Sequence, residues 1–316
     1  MLVTSEDVFP YDGFTVLRDR PACAAALRHP ALKSSPGADS TSVLFLDGDD
    51  HQRIRGLLRS IIAACEPLPA HVRDTIERTV FALRGRTSID LVADFARPVA
   101  AAVTGALLGV QLDSEFLDHL EATAGNLEIW FDGRVDKRAQ TAGLRLALAL
   151  NRATPAPGSG LAALREAGTL SADELLVTPV VLAHAAYENS MNFLGLAALE
   201  VVQGRAAGDL DEAAVRALAV DLAPARYVLR QADEDVELAG TSVTAGTRVA
   251  ISLASAGLPF GMGRHACPGS VVAVAEAAVA LRALAVVVGG TPTVTDIRWK
   301  PHPVFHGLAA ATVRPS

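Results

Sequence analysis

Only three of the 28 basic residues are lysine, at Lys33, Lys137 and Lys300, a bias of GC-rich coding that carries no functional reading. Cysteine is equally scarce. Cys23, Cys65 and Cys267 stand too far apart for any Cys-x-x-Cys pair, which excludes zinc ribbons and a disulfide framework. Any cysteine chemistry therefore rests on a single thiol. Long apolar runs are missing too: the longest uncharged stretches, such as 98–112, stop at about fifteen residues, short of the roughly twenty that span a bilayer. The start, MLVTSEDVF, is acidic and has no apolar h-region, so the expectation is a cytoplasmic chain without signal peptide or membrane anchor. A formal charge of −7 argues against a nucleic-acid surface.

What is present is a globular composition. The 316 residues are 50% apolar and 20% charged, and mean hydropathy is +0.30, enough to bury a full core. Most of the chain reads as helix. Ile54, Leu57, Leu58, Ile61 and Ile62 follow one helical face over 50–64, and further runs cover 71–83 and 89–109. Ser171-Ala-Asp-Glu174 is a capping box opening a long helix to about Val202, with a kink expected at Pro179. Another helix spans 270–288. Strand signals cluster late, at 236–238, 242–243, 248–251 and a terminal hairpin over 299–314. The expected fold is mainly α with a small β region, a single domain over 1–316, with 153–160 as a surface loop rather than a boundary.

The sharpest local signal is Pro259-Phe-Gly-Met-Gly-Arg-His-Ala-Cys-Pro-Gly269. Gly261-x-Gly263-x-x-Ala266 has dinucleotide-binding spacing, but Pro259 interrupts the required strand and no carboxylate follows at 281–286. The alternative is a loop presenting one thiolate. Gly261 and Gly263 permit backbone conformations closed to other residues and close approach to a flat ligand. Cys267 precedes the 270–288 helix, where amides and the helix dipole favour a thiolate, an iron ligand, with Phe260 packed beside it.

On these residues the segment resembles the Phe-x-x-Gly-x-x-x-Cys-x-Gly cysteine-ligand loop of the cytochrome P-450 haem-thiolate family, matched at Phe260, Gly263, Cys267 and Gly269. Other segments match the same family in order. Asp50-His-Gln-Arg-Ile-Arg55 resembles its propionate-binding helix, and His51 and Arg55 are four apart on one face. Arg230 falls on the family's propionate arginine, His265 on a further propionate position, and 89–98 with Leu108-Gly109 on the helix that follows the propionate helix. The resemblance implies a reduced cytochrome P-450 fold and a b-type haem (heme b). Cys267 would be the iron ligand, with His51, Arg55, Arg230, Phe260, His265 and Gly269 also holding the cofactor.

Departures from the family are as informative. Ala185-Ala-Tyr-Glu-Asn189 stands where the family has Ala-Gly-x-acid-Thr, so Glu188 supplies the acid and Asn189 replaces the alcohol. These two are the catalytic candidates. The family's Glu-x-x-Arg falls on Ala217-Leu-Ala-Val220, and the segment carrying that pair's partner is reduced to 254–258. Loss of both charges together is what a tolerated deletion requires, because a buried ion pair left without its third member is uncompensated.

The resemblance implies an enzyme acting on a small organic substrate, in a tailoring step of specialised metabolism. Asn189 and the deletion favour peroxide-driven or redox-neutral chemistry. The alternative is ordinary monooxygenation with a ferredoxin, for which Arg53, Arg55 and Arg59 are read as part of a basic docking face. A different class, a non-catalytic helper subunit of the same fold, is disfavoured because such relatives have typically lost the cysteine loop. Phe45, Trp130, Phe131, His184, Tyr187 and Phe305 are candidates to line the substrate pocket, with plain core packing the commoner alternative for each.

Overall fold

Short acidic and hydroxyl side chains start most of the helices. Asp19, Asp113, Asp136, Ser159, Ser171 and Asp211 each accept a hydrogen bond from an amide of the first turn, and each such cap contributes about 0.5–2 kcal/mol. The computed structural model describes residues 9–34, 41–127, 136–206, 208–301 and 305–316. The helices are α1 (Arg20–Arg28), α2 (Gly48–Ala63), α3 (Ala70–Phe81), α4 (Arg97–Leu108), α5 (Ser114–Ala122), α6 (Lys137–Arg152), α7 (Gly160–Glu166), α8 (Ala172–Val202), α9 (Glu212–Leu222) and α10 (Ser270–Val288). The strands are β1 (Phe14–Leu17), β2 (Leu32–Lys33), β3 (Ile89–Asp90), β4 (Tyr227–Ala232), β5 (Val236–Leu238), β6 (Thr241–Val243), β7 (Arg248–Ser252), β8 (Thr293–Trp299) and β9 (Leu308–Arg314).

The expected capping box of α8 forms in full. Its Glu174 carboxylate also takes Arg53 of α2 at 2.6 Å, fixing where α8 begins relative to α2. Beyond Pro179 the helix continues to Val202, and its last third is buried on all sides, as a central core helix must be. α4, α6 and α10 pack against it, with Phe95, Val99, Leu146, Leu194, Ala198 and Leu281 in one apolar core. Each fully buried large side chain contributes roughly 1.5–3 kcal/mol.

Three differences from expectation have local causes. The run from Ile89 is divided: β3 pairs with β9, a π-helical turn spans Leu91–Ala96, and only then does α4 begin. The terminal hairpin starts at Thr293, six residues before Trp299, with two register shifts between β8 and β9. β1 and β2 gave no sequence signal; β1 lies parallel to β7 and β2 antiparallel to β4, giving the sheet order β1-β7-β4-β2. Two segments, Leu91–Leu108 and Ser270–Val288, are by length and composition apolar enough to cross a membrane, which uncharged-run length alone did not reveal. The protein core takes up 44% and 61% of them.

Candidate functional site

From β7 the chain folds back through 253–262 into a 3-10 turn (Gly263–His265) and then α10. Backbone bonds define the loop: Gly261 N–H donates to Leu258 O at 2.9 Å, Ala266 N–H to Gly263 O at 3.1 Å, and Cys267 N–H to Phe260 O at 2.7 Å. Gly261 (φ 62°) and Gly263 (φ 72°) are left-handed, as their spacing suggested. A Cβ on Gly263 would stand 2.5 Å from Leu27 O, so the loop is pressed directly on α1. Arg264 pins it further, donating to His29 O, Leu32 O and the Asp47 carboxylate.

Cys267 opens on a cavity of about 830 Å³. Burial pushes its thiol pKa up, while the Gly269 amide and the Arg55 charge pull it back. The start of α10 alone therefore does not supply the expected thiolate; a metal held there by Cys267 would displace the proton. Gly269 has an ordinary φ of −95°, and a Cβ there would meet nothing within 4 Å. Neither backbone strain nor packing asks for glycine, which leaves clearance on the cavity side of the loop.

Arg55 from α2, Arg230 from β4 and His265 from the loop border the same cavity. Nε and Nη2 of Arg55 are buried without a hydrogen-bond partner among the described residues. The Arg230 side chain donates to Leu229 O at 2.6 Å; burial and the neighbouring Arg264 push its pKa down to about 10. Neither arginine has a carboxylate in ion-pair range among the described residues. The one acid nearby, Asp47, is already taken by Arg264 at 2.7 Å, His265 at 3.3 Å and the Ser34 amide. Burial opposes its ionisation, but these bonds hold its carboxyl well below the usual range. His51 does not border the cavity. Its buried ring lies against His265, centroids 4.0 Å apart, with Nε2 unpartnered, and burial and the adjacent cations push its pKa down to about 4. Buried cations without counter-charge are costly, so this wall is complementary to a ligand carrying two carboxylates. A thiol facing the same space adds a metal ligand, and the residues present fit haem.

α8 forms another stretch of the wall. Ala185 is exposed in the middle of this core helix, and His184, Ala186, Asn189 and Ser190 also border the cavity. Among the described residues Asn189 is held by a long 3.5 Å contact to Ala185 O. Glu188 corrects the sequence expectation. Successive helical residues point about 100° apart, and its buried carboxylate is turned away from the cavity, paired with Lys300 at 3.0 Å and Asn192 at 2.9 Å. The carboxyl that does border the cavity is Glu276 of α10, which the sequence reading missed. It is 2% exposed, accepts from Ser190 Oγ at 3.0 Å, and burial pushes its pKa up to about 8. Tyr187 is likewise core, donating to Glu121 at 2.7 Å, whereas Phe45, His184 and Phe305 do line the cavity. Trp130 and Phe131 lie outside the described residues. Arg53, Arg55 and Arg59 share no docking face: Arg53 is paired with Glu174 and Asp50, Arg55 faces inward, and Arg59 alone is exposed.

No protein-family model matches the chain. The curated proteins similar to it are cytochromes P-450. The biotin biosynthesis cytochrome P-450 of Bacillus subtilis is 24% identical over 307 residues, 83% of this chain and 76% of that one. The epothilone C/D epoxidase of Sorangium cellulosum is 26% identical over 282 residues, 75% and 67% of the two chains. Among solved structures, ligand-free CYP164A2 of Mycobacterium smegmatis superposes with a TM-score of 0.80 at 25% identity, covering 96% of this chain and 91% of that one. With the thiol loop and the cationic wall on one cavity, these likenesses agree on one conclusion: the chain is similar in sequence and fold to the bacterial cytochromes P-450, which are haem-thiolate enzymes.

Proposed function

We propose that residues 1–316 form one haem-binding domain that uses heme b, in the cytoplasm, to transform a small organic molecule in specialised metabolism. The carrying observation is the pair of carboxylate-free guanidinium groups, Arg55 and Arg230, on the cavity that Cys267 faces. In this reading Cys267 holds the iron, and Arg55, Arg230 and His265 hold the propionates. His51 backs His265 and offers Nε2, while Phe260 and Gly269 frame the thiol loop. When bound, the haem supplies thiolate-ligated iron, the setting for O–O cleavage and related chemistry.

The reaction proposed is peroxide-driven or redox-neutral. Asn189 offers an amide donor that orients a bound group, but it cannot relay a proton as a hydroxyl does. Glu188 is committed to Lys300. Glu276, neutral up to about pH 8, is the group able to hold a proton at the cavity wall, with Ser190 beside it. Ferredoxin-dependent monooxygenation is the second reading, favoured by relatives named as an epoxidase and as 6-deoxyerythronolide B hydroxylase. A helper subunit would have no use for the cavity-facing thiol. The test is spectroscopic. The reduced carbon monoxide complex is expected to show the red-shifted Soret band of thiolate ligation, and Cys267→Ala to abolish it. A protein that takes up no haem on reconstitution would refute the reading.

A further inference from the structure

His184 carries an unused hydrogen-bonding atom whose character the surrounding bonds determine. Its Nδ1 lies 2.8 Å from Thr123 Oγ1. The Thr123 hydroxyl has one proton, and that proton is given to Leu120 O at 2.6 Å. Oγ1 therefore accepts from the ring, which places the imidazole proton on Nδ1 and leaves Nε2 with a bare lone pair. The ring is 7% exposed, and burial pushes its pKa down, in keeping with the neutral form. Nε2 is shielded from water and has no hydrogen-bond partner among the described residues.

An unpaired acceptor so placed is costly unless something bound there satisfies it. The ring stands edge-on to Phe305, centroids 6.2 Å apart, and both residues border the cavity. The cavity lining is largely apolar, with Val181, Leu182, Ala185 and Val228 among its residues. Glu188 and Lys300, the charged groups closest in influence, are engaged with each other at 3.0 Å and do not compete for Nε2.

We propose that His184 is a specificity-determining residue whose Nε2 accepts a hydrogen bond from a hydroxyl or N–H of the substrate, selecting apolar molecules that carry such a donor. This rests on the proposed function of the cavity and narrows it to a substrate class. Selectivity of this kind is steep, because an analogue lacking the donor leaves the buried acceptor unpaired.

The experiment uses haem-loaded protein and three probes of similar shape: 4-phenylphenol, which donates; 4-methoxybiphenyl, which only accepts; and biphenyl, which does neither. Equilibrium dialysis is expected to show wild type retaining 4-phenylphenol at least about tenfold more tightly than the other two. His184→Phe should erase that preference at unchanged haem content, and His184→Gln, whose side-chain carbonyl accepts, should restore part of it. Independently of any variant's folding, 15N NMR of histidine-labelled ferrous carbon monoxide protein should find the His184 ring protonated at Nδ1. No preference in wild type, a preference that survives in His184→Phe, or a proton on Nε2 would each overturn the proposal while leaving the haem enzyme reading intact. Retention of none of the three probes would remove the cavity as a small-molecule site, and both readings would fall together.

Discussion

Arg55 is held at a cost that only a ligand removes. Its Nε and Nη2 have no partner, and burial, with Arg59 adding, lowers its pKa. Removing this charge should act in opposite directions on the two forms of the protein. Arg55→Met is expected to leave the apoprotein as stable or more so, by relieving an uncompensated charge. In the haem-loaded protein it should speed haem transfer to apomyoglobin several-fold, since hydrogen bonds to charged groups contribute about 1.5–3 kcal/mol before solvent screening. Arg230→Met should do the same; slower or unchanged transfer in both would exclude the two arginines as propionate holders. Glu276 gives a pH signature. Its carboxyl ionises near 4.5 when unfolded and near 8 when folded, so across that window the folded state binds the extra proton and stability falls as pH rises. Urea midpoints at about pH 5 and about pH 8 should therefore drop further for wild type than for Glu276→Gln; parallel drops would contradict the assignment. The two acids also show what sequence can and cannot locate. Glu188 was singled out because it stands beside Asn189 in a familiar pattern, yet neighbours on a helix face different ways. Glu276 sits in an alanine and valine run that gives no local sign of a cavity.

At the scale of elements, the thiol loop works because α1 is pressed against it. The Gly263 contact to Leu27 O and the Arg264 bonds to His29 O and Leu32 O join loop, α1 and β2 into one unit. Gly263→Ala combines a left-handed φ of 72° with a Cβ 2.5 Å from that backbone oxygen, and an alanine cannot yield as a long side chain would. The expected outcome is a loss of about 1–3 kcal/mol, seen as a lower melting temperature together with a lower haem occupancy. Gly269→Ala, whose Cβ meets no protein atom, should leave the melting temperature of the apoprotein unchanged while reducing haem occupancy. An equal effect of the two substitutions on the apoprotein would mean the loop is not shaped by α1. Sequence made both glycines visible, Gly263 for backbone freedom and close approach to a flat ligand, Gly269 only through the resemblance of the loop. The structure separates a glycine required by a neighbouring helix from one that leaves clearance. Local pattern also found the long helices, whose period and caps are near in sequence. It missed β1, four residues whose strand character depends on pairing with β7 more than two hundred positions away.

At the scale of the whole molecule, the proposed reaction is weighed against the surface beside the thiol loop. Val220, on the position matched to the absent arginine, and Val271, just after the loop, are each 40% exposed. Among the described residues no ion pair links α9 to β4 or to the loop, and of the three arginines read as a docking face Arg53 is paired with acids, Arg55 is half-buried and Arg59 alone is exposed. In a chain of net charge −7, that leaves little to steer an acidic ferredoxin towards Cys267, since steering depends on clustered opposite charge. In the proposed reading the cavity's proton-holding group is likewise the Glu276 carboxyl, bonded to Ser190 of α8, rather than an alcohol at position 189. Both features favour turnover that needs neither an electron-transfer chain nor proton relay through residue 189. Asn189→Thr is therefore expected to leave turnover of the native substrate unchanged or lower it, with Asn189→Ala lowering it further. The measurement that decides is product formation under strictly anaerobic conditions, then with peroxide, then with dioxygen, NAD(P)H, ferredoxin and reductase. Product in either of the first two arms at the higher rate supports the peroxide-driven or redox-neutral reading. Product only in the third, with gain of rate in Asn189→Thr, would establish ferredoxin-driven monooxygenation and show that the missing alcohol limits it.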